Sequence, residues 1–304
     1  MQLSIIIVNW NTRELLKNCL ESIYETTPDF PVKVIVVDNA SSDGSPEMIG
    51  SVFPLVQLVE NRENAGFARA TNQGIKLAET KYILLLNPDT VVLPGALNSL
   101  VDFMDTHHQA GAAGSRVLNP DGSLQTSCYV YPTLKSEFFR LFHLDSIFLK
   151  TTYRMDRWDK EFPRAVDIIQ GDCLLLRKTA LDQVGLLDES FFIYSEDVDL
   201  CRRLQQASWE IYWVPQAQLI HYGGQSTRQV AAEMFLKLYQ GKTMYFRKHH
   251  GRMVAFGYKI LLAMAALPRL LLYPWAALAP KPKKEQYQNL AANYRSLLTA
   301  LPGM

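Results

Sequence analysis

The chain contains few cysteines and none of the common phosphate-binding loops. Its four cysteines are scattered through 304 residues without a Cys-x-x-Cys pair, so neither a disulfide framework nor a zinc knuckle is indicated. No Gly-x-Gly-x-x-Gly follows the first apolar run, and no glycine-rich loop ends in lysine. These absences exclude the dinucleotide-binding fingerprint and the P-loop. The sparse cysteines fit a reducing cytosolic setting.

The sequence also lacks a basic leader and a long hydrophobic run. The apolar run 5–8 is too short for a secretory signal, and no uninterrupted stretch reaches the roughly 20 apolar residues of a spanning helix. The formal net charge is +1, but residues 242–304 carry a net +9, which leaves residues 1–241 at −8. Because an acidic body repels phosphate, we do not expect nucleic acid as a partner.

Strand-like and helical segments alternate over the first 90 residues. The runs 3–8, 34–37, 55–59 and 82–86 are apolar and rich in β-branched residues, and a helical period follows each of the first three. Such alternation predicts an α/β nucleotide-binding fold, a Rossmann-like, mostly parallel sheet with helices on its faces.

Polar side chains stand where several of these strands end. Asn9 ends the first strand, Asp38 the second, and Asp89 follows the fourth after Asn87-Pro88. In open α/β sheets, ligands bind beyond the carboxyl ends of the strands. We therefore interpret Asp89 as a ligand for a cation or a metal-bound phosphate. The alternative is an ordinary turn aspartate after Asn-Pro.

The second half of the chain has a different pattern. Asp121-Gly122 is typical of a hairpin turn and predicts antiparallel strands. Residues 132–165 mix aromatic and charged side chains without a clear period, and we interpret them as a variable insertion that faces an acceptor. A last strand is expected over 209–214, ending at Pro215.

An acidic stretch is the most unusual part of this half. Five acids lie within residues 188–199, interleaved with aromatic residues. If Ser195 caps a helix, Glu196 and Asp197 lie in its first turn, where the helix dipole stabilises carboxylates. Dipole complementarity alone would explain them, and a catalytic carboxylate is the other interpretation. His221 follows a short apolar run, and it is either a structural histidine or a ligand.

Six motifs occur in a fixed order over residues 3–228. They are Ile6-Ile7-Val8-Asn9, Val36-Val37-Asp38-Asn39, Asn64-Ala65-Gly66-Phe67 with Asn72 and Gly74, Leu86-Asn87-Pro88-Asp89, the acidic run from Glu189 to Arg203, and His221. Each motif is weak alone. In this order they resemble the family 2 glycosyltransferases of the GT-A fold, most of all the rhamnosyltransferase-like members that extend cell-surface polysaccharides.

The resemblance implies a reaction. Such an enzyme moves a sugar, rhamnose-like or another hexose, from a nucleoside diphosphate to a hydroxyl of a lipid-linked or polysaccharide acceptor, with inversion. Inversion requires one base opposite the leaving group. Asp197 matches the catalytic-base position of the family, and Glu196 is its competitor.

The resemblance also implies a nucleotide-sugar site. Asp38 matches the base-reading aspartate, and a carboxylate can accept the imide N–H of uracil or thymine, which favours UDP or dTDP donors. Gly66 would let the backbone approach the diphosphate closely. The implied nucleotide-sugar residues are Asn9, Asp38, Asn39, Asn64, Gly66, Asn87 and Asp89.

A divalent cation, Mg²⁺ or Mn²⁺, is implied as the cofactor. It would be held by Asp89 and His221, and its charge would stabilise the leaving diphosphate. The broader family has Asp-x-Asp at this point, but the first position here is Asn87. A cation at this site would therefore have less protein charge around it and depend more on the diphosphate.

We expect a catalytic domain over residues 1–228 and a helical extension over 229–304. The extension is basic and apolar, Pro268-Arg269 interrupts its apolar run, and Tyr273 and Trp275 suit a membrane boundary. This pattern favours peripheral binding at an anionic, cytoplasmic membrane face. The alternative is helices packed on the catalytic domain or on a second copy in a homodimer.

Two other functions compete with transfer. A nucleotidyltransferase would need a glycine-rich, basic loop after the first strand, which the sequence 9–12 does not supply. A catalytically inactive nucleotide-binding or scaffold subunit of a polysaccharide assembly complex is the second alternative. The joint presence of Asp38, Asp89, Asp197 and His221 argues against a loss of catalysis.

Overall fold

The computed structural model describes residues 2–26, 28–144, 153–272 and 280–304, so Tyr273 and Trp275 lie outside the described residues. The chain divides into two compact units. Unit 1 comprises Met1–Tyr131, Tyr153–Phe192 and Glu196–Ser226, and unit 2 comprises Pro132–Thr152, Ile193–Ser195 and Thr227–Met304.

Unit 1 is built on a nine-stranded mixed sheet. The strands of the protein are β1 (Leu3–Asn9), β2 (Val32–Asp38), β3 (Gln57–Glu60), β4 (Tyr82–Leu86), β5 (Thr90–Val92), β6 (Ala110–Leu118), β7 (Cys128–Tyr129), β8 (Arg164–Ala165), β9 (Ile168–Ile169), β10 (Cys173–Arg177) and β11 (Glu210–His221). The order is β3-β2-β1-β4-β10-β6-β11-β5, with β8 also on β11, while β7 and β9 form a separate pair. Six strands share one direction, and β5, β8 and β10 run against it.

Helices cover both faces of this sheet. The helices of the protein are α1 (Arg13–Glu25), α2 (Ser45–Val52), α3 (Phe67–Lys76), α4 (Ala96–Thr106), α5 (Leu134–Leu141), α6 (Lys178–Val184), α7 (Glu196–Gln206), α8 (Gln225–Arg228), α9 (Ala231–His250), α10 (Arg252–Leu272) and α11 (Lys281–Ala300). One core lies under α1, α2 and α4, and a second lies under α3, α6 and α7. Strands buried on both faces explain the continuous apolar runs. The predicted α/β fold with a mostly parallel sheet is confirmed.

The expected end of the last strand at Pro215 is wrong. β11 continues through Pro215 to His221, and its register against β6 shifts between Val214 and Gln218. Proline is tolerated in a strand at a bulge, where no ladder hydrogen bond needs its missing N–H. The continuation matters for the site, because it carries His221 to the edge of the sheet.

Unit 2 contains α5, α9, α10 and α11 around its own apolar core. Pro268, which interrupts the apolar run of the sequence, lies inside α10, one continuous helix from Arg252 to Leu272. Proline removes one helical hydrogen bond, and the carbonyl left without a donor belongs to Met264. Both Pro268 and Met264 are exposed, so that carbonyl lies on the solvent side of the helix. The helix therefore tolerates the proline.

One face of α10 is apolar and exposed. Its large side chains are between 46% and 82% exposed, and they are Met253, Phe256, Ile260, Met264, Leu267 and Leu271. At 100° per residue they fall within an arc of about 80°. The opposite face, with Tyr258 and Leu262, is fully buried. Within the described residues, this is the one helix whose length and composition would allow it to cross a membrane.

Candidate active site

The predicted site residues meet at one edge of the sheet. Asn9 at the end of β1 is paired in register with Asp38 at the end of β2, and Cys173 at the start of β10 is paired with Leu86 at the end of β4. His221, at the end of β11, is paired with Thr90. The carboxyl ends of parallel strands lie together, and the reversed β10 begins at the same edge. Side chains that are distant in sequence are thus gathered there.

Asn9 and Asp38 form a buried hydrogen-bonded pair. The Asn9 Nδ2 donates to Asp38 Oδ2 at 2.8 Å and to Ser41 Oγ at 3.1 Å, and the Thr12 hydroxyl donates to Asn9 Oδ1 at 2.6 Å. The Ser41 N–H donates to Asp38 Oδ1 at 2.8 Å. The aspartate is therefore held in one orientation, and its carboxylate oxygens keep lone pairs for a further donor.

Asn64 and Gly66 lie in the loop between β3 and α3, and Asn39, which follows Asp38 at the end of β2, contacts this loop. The Asn39 Nδ2 donates to the Gly66 carbonyl oxygen at 3.3 Å, and the Gly66 N–H donates to Asn64 Oδ1 at 3.0 Å. Gly66 has a φ of +84°, and a β-carbon there would lie 2.7 Å from the carbonyl oxygen of Phe192. The glycine is therefore required both by its backbone angle and by close packing.

Asp89 and His221 face each other beyond β4 and β11. His221 Nε2 lies 3.2 Å from Asp89 Oδ1, and both side chains are buried. The Tyr222 N–H donates to the Asp89 carbonyl oxygen at 2.9 Å, and the Gln225 N–H reaches Asp89 Oδ2 at 3.4 Å. These backbone contacts fix the aspartate against the segment that follows His221.

Two residues that sequence reasoning did not assign, Gln125 and Asp172, complete the surroundings of His221. Gln125 Oε1 is 2.7 Å from His221 Nδ1, and its Nε2 donates to Asn119 Oδ1 and to the His221 carbonyl oxygen. Because both Nε2 partners are acceptors, the amide orientation is set, and Nδ1 must carry a proton to reach Oε1. Asp172 Oδ2 is 3.5 Å from the same Nδ1.

The neighbouring charges shift the pKa values of this pair. Burial raises the pKa of Asp172 to about 7, against the opposing pull of His221. Burial of His221 disfavours its charged form, but the hydrogen bond to Asp89 and the charges of Asp172 and Asp89 outweigh this and raise its pKa. His221 Nε2, which faces Asp89 Oδ1 at 3.2 Å, therefore lies beside a negative charge that would also attract a cation.

Glu196 and Asp197 lie in the first turn of α7, as predicted. The Gly171 N–H donates to Asp197 Oδ2 at 3.1 Å, and the Val198 N–H donates to Asp197 Oδ1. Glu196 is buried, and its Oε2 has no hydrogen-bond partner. Burial raises the pKa of both carboxyls, and for Glu196 the charge of Asp197 adds to this. Asp197 is only half-buried and is the more accessible of the two.

The backbone that leads into α7 is strained. Tyr194 and Ser195 have φ values of +69° and +70°, a conformation that side chains other than glycine rarely adopt. Two such residues in succession persist only where the surrounding structure holds them, and they are concentrated at functional sites.

A cation would need more ligands than the protein alone supplies. In the described part of the chain, no group of three or more His, Cys, Asp or Glu side chains could hold a metal ion by itself. His221 Nε2 faces Asp89 Oδ1 at 3.2 Å, and this nitrogen and oxygen suit a cation whose coordination is completed by phosphate oxygens. The residues present thus fit a metal that binds together with a diphosphate.

Comparison with known proteins identifies the family. The model of glycosyl transferase family 2 matches residues 4–185. An N-acetylglucosaminyl-diphospho-decaprenol L-rhamnosyltransferase of Mycobacterium tuberculosis is 30% identical over 263 residues, which cover 82% of this chain and 85% of that protein. Rhamnosyltransferase WbbL of Escherichia coli is 26% identical over 242 residues, or 76% of this chain and 87% of the relative.

A solved structure agrees with the fold. The mannosyltransferase PcManGT from Pyrobaculum calidifontis, in complex with GDP-Man and Mn²⁺, has a TM-score of 0.58 at 18% identity and covers 99% of this chain and 84% of its own. At this identity the likeness concerns the GT-A fold alone. With the family match and the rhamnosyltransferase relatives, the chain belongs to glycosyl transferase family 2 and is a rhamnosyltransferase-like glycosyltransferase.

Proposed function

We propose that this enzyme transfers a rhamnose-like sugar or another hexose from a dTDP or UDP donor to a hydroxyl of a lipid-linked or polysaccharide acceptor, with inversion. The observation that carries the proposal is the meeting of Asp89, His221 and Asp197 at one sheet edge. Asp197 is linked to the metal-side residues through Gly171, whose neighbour Asp172 contacts His221.

Asp197 is the general base in this proposal. It is half-buried at the start of α7, two backbone N–H groups fix its carboxylate, and its raised pKa makes it a stronger base than a solvated aspartate. Glu196 is less suited, because it is buried and because burial and the charge of Asp197 raise its pKa well above the ordinary value, which favours its neutral form.

Asp89 and His221 would hold the cation, Mg²⁺ or Mn²⁺. When bound, the cation stabilises the charge that develops on the leaving diphosphate. The two relevant atoms, Asp89 Oδ1 and His221 Nε2, face each other at 3.2 Å. PcManGT was solved with Mn²⁺ and a nucleotide sugar, which supports a divalent cation.

The nucleotide would lie over the ends of β1 and β2. Asp38 would accept the imide N–H of uracil or thymine, while Asn9 holds its carboxylate in place. Asn39, Asn64, Gly66 and Asn87 would line the remainder of the nucleotide sugar, with Gly66 giving the backbone close access.

The relatives and α10 support the proposed acceptor and location. The mycobacterial relative is named for a lipid-linked diphosphate acceptor. In the proposed organisation, residues 1–228 form the catalytic domain, with 132–165 as a variable insertion near the acceptor. Residues 229–304 form an extension that binds the cytoplasmic face of the cell membrane peripherally.

Helix α10 is the membrane-binding element of this proposal. Residues 252–272 contain three basic residues and no acid. Arg252 and Lys259 lie beside the exposed apolar arc, at about 240–260° when Met253 is set to 0°. Two copies packed on this face would bring like charges together, whereas anionic lipid attracts them. The buried opposite face, which packs within unit 2, favours a helix in the membrane interface over one that spans it.

A donor panel tests the proposal. UDP and dTDP sugars are incubated with purified full-length enzyme, Mg²⁺ or Mn²⁺, and a lipid-linked N-acetylglucosaminyl diphosphate. Release of nucleoside diphosphate and the anomeric configuration of the product are then measured. We expect transfer with inversion that stops on chelation of the metal. A product with retained configuration, or transfer undiminished by the chelator, would contradict the mechanism, and binding of donor without transfer would indicate a scaffold.

A further inference from the structure

Asp172 is a buried carboxylate that the proposed reaction does not use. It lies immediately before β10 and is 1% exposed. The Cys173 N–H donates to its Oδ1 at 2.8 Å, but Oδ2 is buried without a hydrogen-bond partner. A buried carboxylate oxygen without a hydrogen-bond partner lowers the stability of the fold unless a positively charged group lies nearby. The imidazole of His221 can be such a group, and its Nδ1 is 3.5 Å from Asp172 Oδ2.

Asp172 also lies against the loop that carries the neutral Asn87. The Asn87 N–H donates to the Asp172 carbonyl oxygen at 3.0 Å, so the two residues are bridged through their backbones. Asn87 occupies a position at which a carboxylate would add charge to a cation held by Asp89. Asp172, immediately before β10, therefore places a carboxylate near the proposed cation site, on the side where Asn87 provides none.

Asp172 would influence the cation site through the imidazole of His221. Gln125 fixes the ring with Nδ1 protonated and Nε2 directed towards Asp89 Oδ1 at 3.2 Å. A carboxylate behind Nδ1 makes the opposite nitrogen a better ligand and holds the ring in place. We propose that Asp172 is a positioning residue for the cation site, which acts through His221 and supplies the negative charge that Asn87 does not. This inference rests on the proposed cation at Asp89 and His221.

Two consequences separate this role from a purely structural one. Carboxylates behind a ligating histidine commonly change metal affinity by about 10–100-fold. An uncharged amide of the same shape would remove the cost of the buried charge, so Asp172→Asn should hold or increase the stability of the metal-free protein. If Asp172 served the fold alone, Asp172→Asn would lower the thermal stability of the protein and leave its metal affinity unchanged.

The experiment compares four full-length proteins: wild type, Asp172→Asn, Asn87→Asp and the double variant. Mn²⁺ is titrated into each in the presence of saturating UDP or dTDP, with the affinity measured by calorimetry and by the electron paramagnetic resonance signal of free Mn²⁺. Thermal unfolding of each metal-free protein is the control for folding. We expect Asp172→Asn to weaken Mn²⁺ binding about 10–100-fold, and Asn87→Asp to restore most of that loss in the double variant.

Each outcome decides a different point. Wild-type affinity in Asp172→Asn would overturn the inference and leave the proposed cation site intact. Weak binding without rescue by Asn87→Asp would overturn the charge relationship between the two positions. If none of the four proteins binds Mn²⁺, the proposed cation site itself fails, and the inference fails with it. Should Asp172→Asn prove unstable, the comparison of the double variant with Asn87→Asp measures the effect of Asp172 on Mn²⁺ affinity in a second background, and equal affinities there would also overturn the inference.

Discussion

The backbone N–H of Gly171 donates a hydrogen bond to Asp197 Oδ2 at 3.1 Å, across 26 residues of sequence. This contact ties the first turn of α7 to the residue before Asp172, and through Asp172 to His221. The adjacent residues Gly171 and Asp172 therefore contact both the proposed base and the proposed cation site. Positions of catalytic groups held in this way are sensitive to small displacements.

The first prediction concerns the base. Asp197→Asn keeps the shape of the side chain and one of its two acceptors for the backbone N–H groups of Gly171 and Val198, but it removes the capacity to accept a proton. We expect transfer to fall about 10³-fold, with nucleoside-diphosphate affinity unchanged. Single-turnover product release and calorimetry measure the two quantities. Glu196→Gln is the matched control and should lose far less activity, and the reverse order of the two variants would assign the base to Glu196.

The second prediction concerns pH. Burial raises the pKa of Asp197, and the base must be ionised to act. Activity is therefore present above the raised pKa and is lost as the pH falls through it, so the acid limb of kcat/KM should lie above the value of about 3.9 for a free aspartate. A pH series of initial rates measures this limb. It should persist in Glu196→Gln, and its disappearance there would contradict the assignment.

The third prediction separates a collision from backbone strain. Gly66→Ala places a β-carbon 2.7 Å from the Phe192 carbonyl oxygen at a φ of +84° and a ψ of 163°, whereas Gly185→Ala at a φ of +83° and a ψ of 169° meets nothing within 4 Å. We expect Gly185→Ala to lower the free energy of unfolding by about 1–3 kcal/mol. Gly66→Ala should cost more and should also weaken nucleotide binding. Chemical denaturation and calorimetry measure both, and equal effects would mean that the contact with Phe192 is unimportant.

The fourth prediction concerns a buried arginine away from the site. The Arg177 guanidinium donates to the carbonyl oxygens of Ala110, Met104 and His107 at 2.7–3.0 Å, and two of these acceptors lie at the end of α4. Its replacement removes a donor from each of these three carbonyl oxygens, of which that of His107 keeps the N–H of Ala110. We expect Arg177→Met to lower the free energy of unfolding by about 3 kcal/mol or more. The exposed Arg157→Met is the control in denaturant unfolding, and a similar change in both would contradict the structural role.

The fifth prediction concerns the exposed face of α10. Replacement of Phe256, Ile260 and Met264 by serine removes apolar contacts with lipid and leaves the buried face of the helix unchanged. We expect binding to vesicles that contain anionic lipid to fall at least about tenfold. Co-flotation with liposomes measures it, and Leu55→Ser, at another exposed apolar residue, is the control. Undiminished flotation of the triple variant would exclude this face as the membrane contact.

The sequence alone determined the first four strands and the polar residues that end them. Hydrophobic runs and the residues after them are local features, so Asp38 and Asp89 could be assigned to strand ends before the structure was known. The assignment of Glu196 and Asp197 to the first turn of α7 was local in the same sense.

The tertiary structure decided what surrounds His221. Gln125 lies 96 residues from the histidine in sequence, and Asp172 reaches it only because β10 runs against β4. No local pattern encodes a strand's direction, since the same apolar run forms a parallel or an antiparallel strand. The structure likewise showed that Pro215 and Pro268 lie within continuous elements, because a bulge and an exposed helix face remove the cost of the missing N–H.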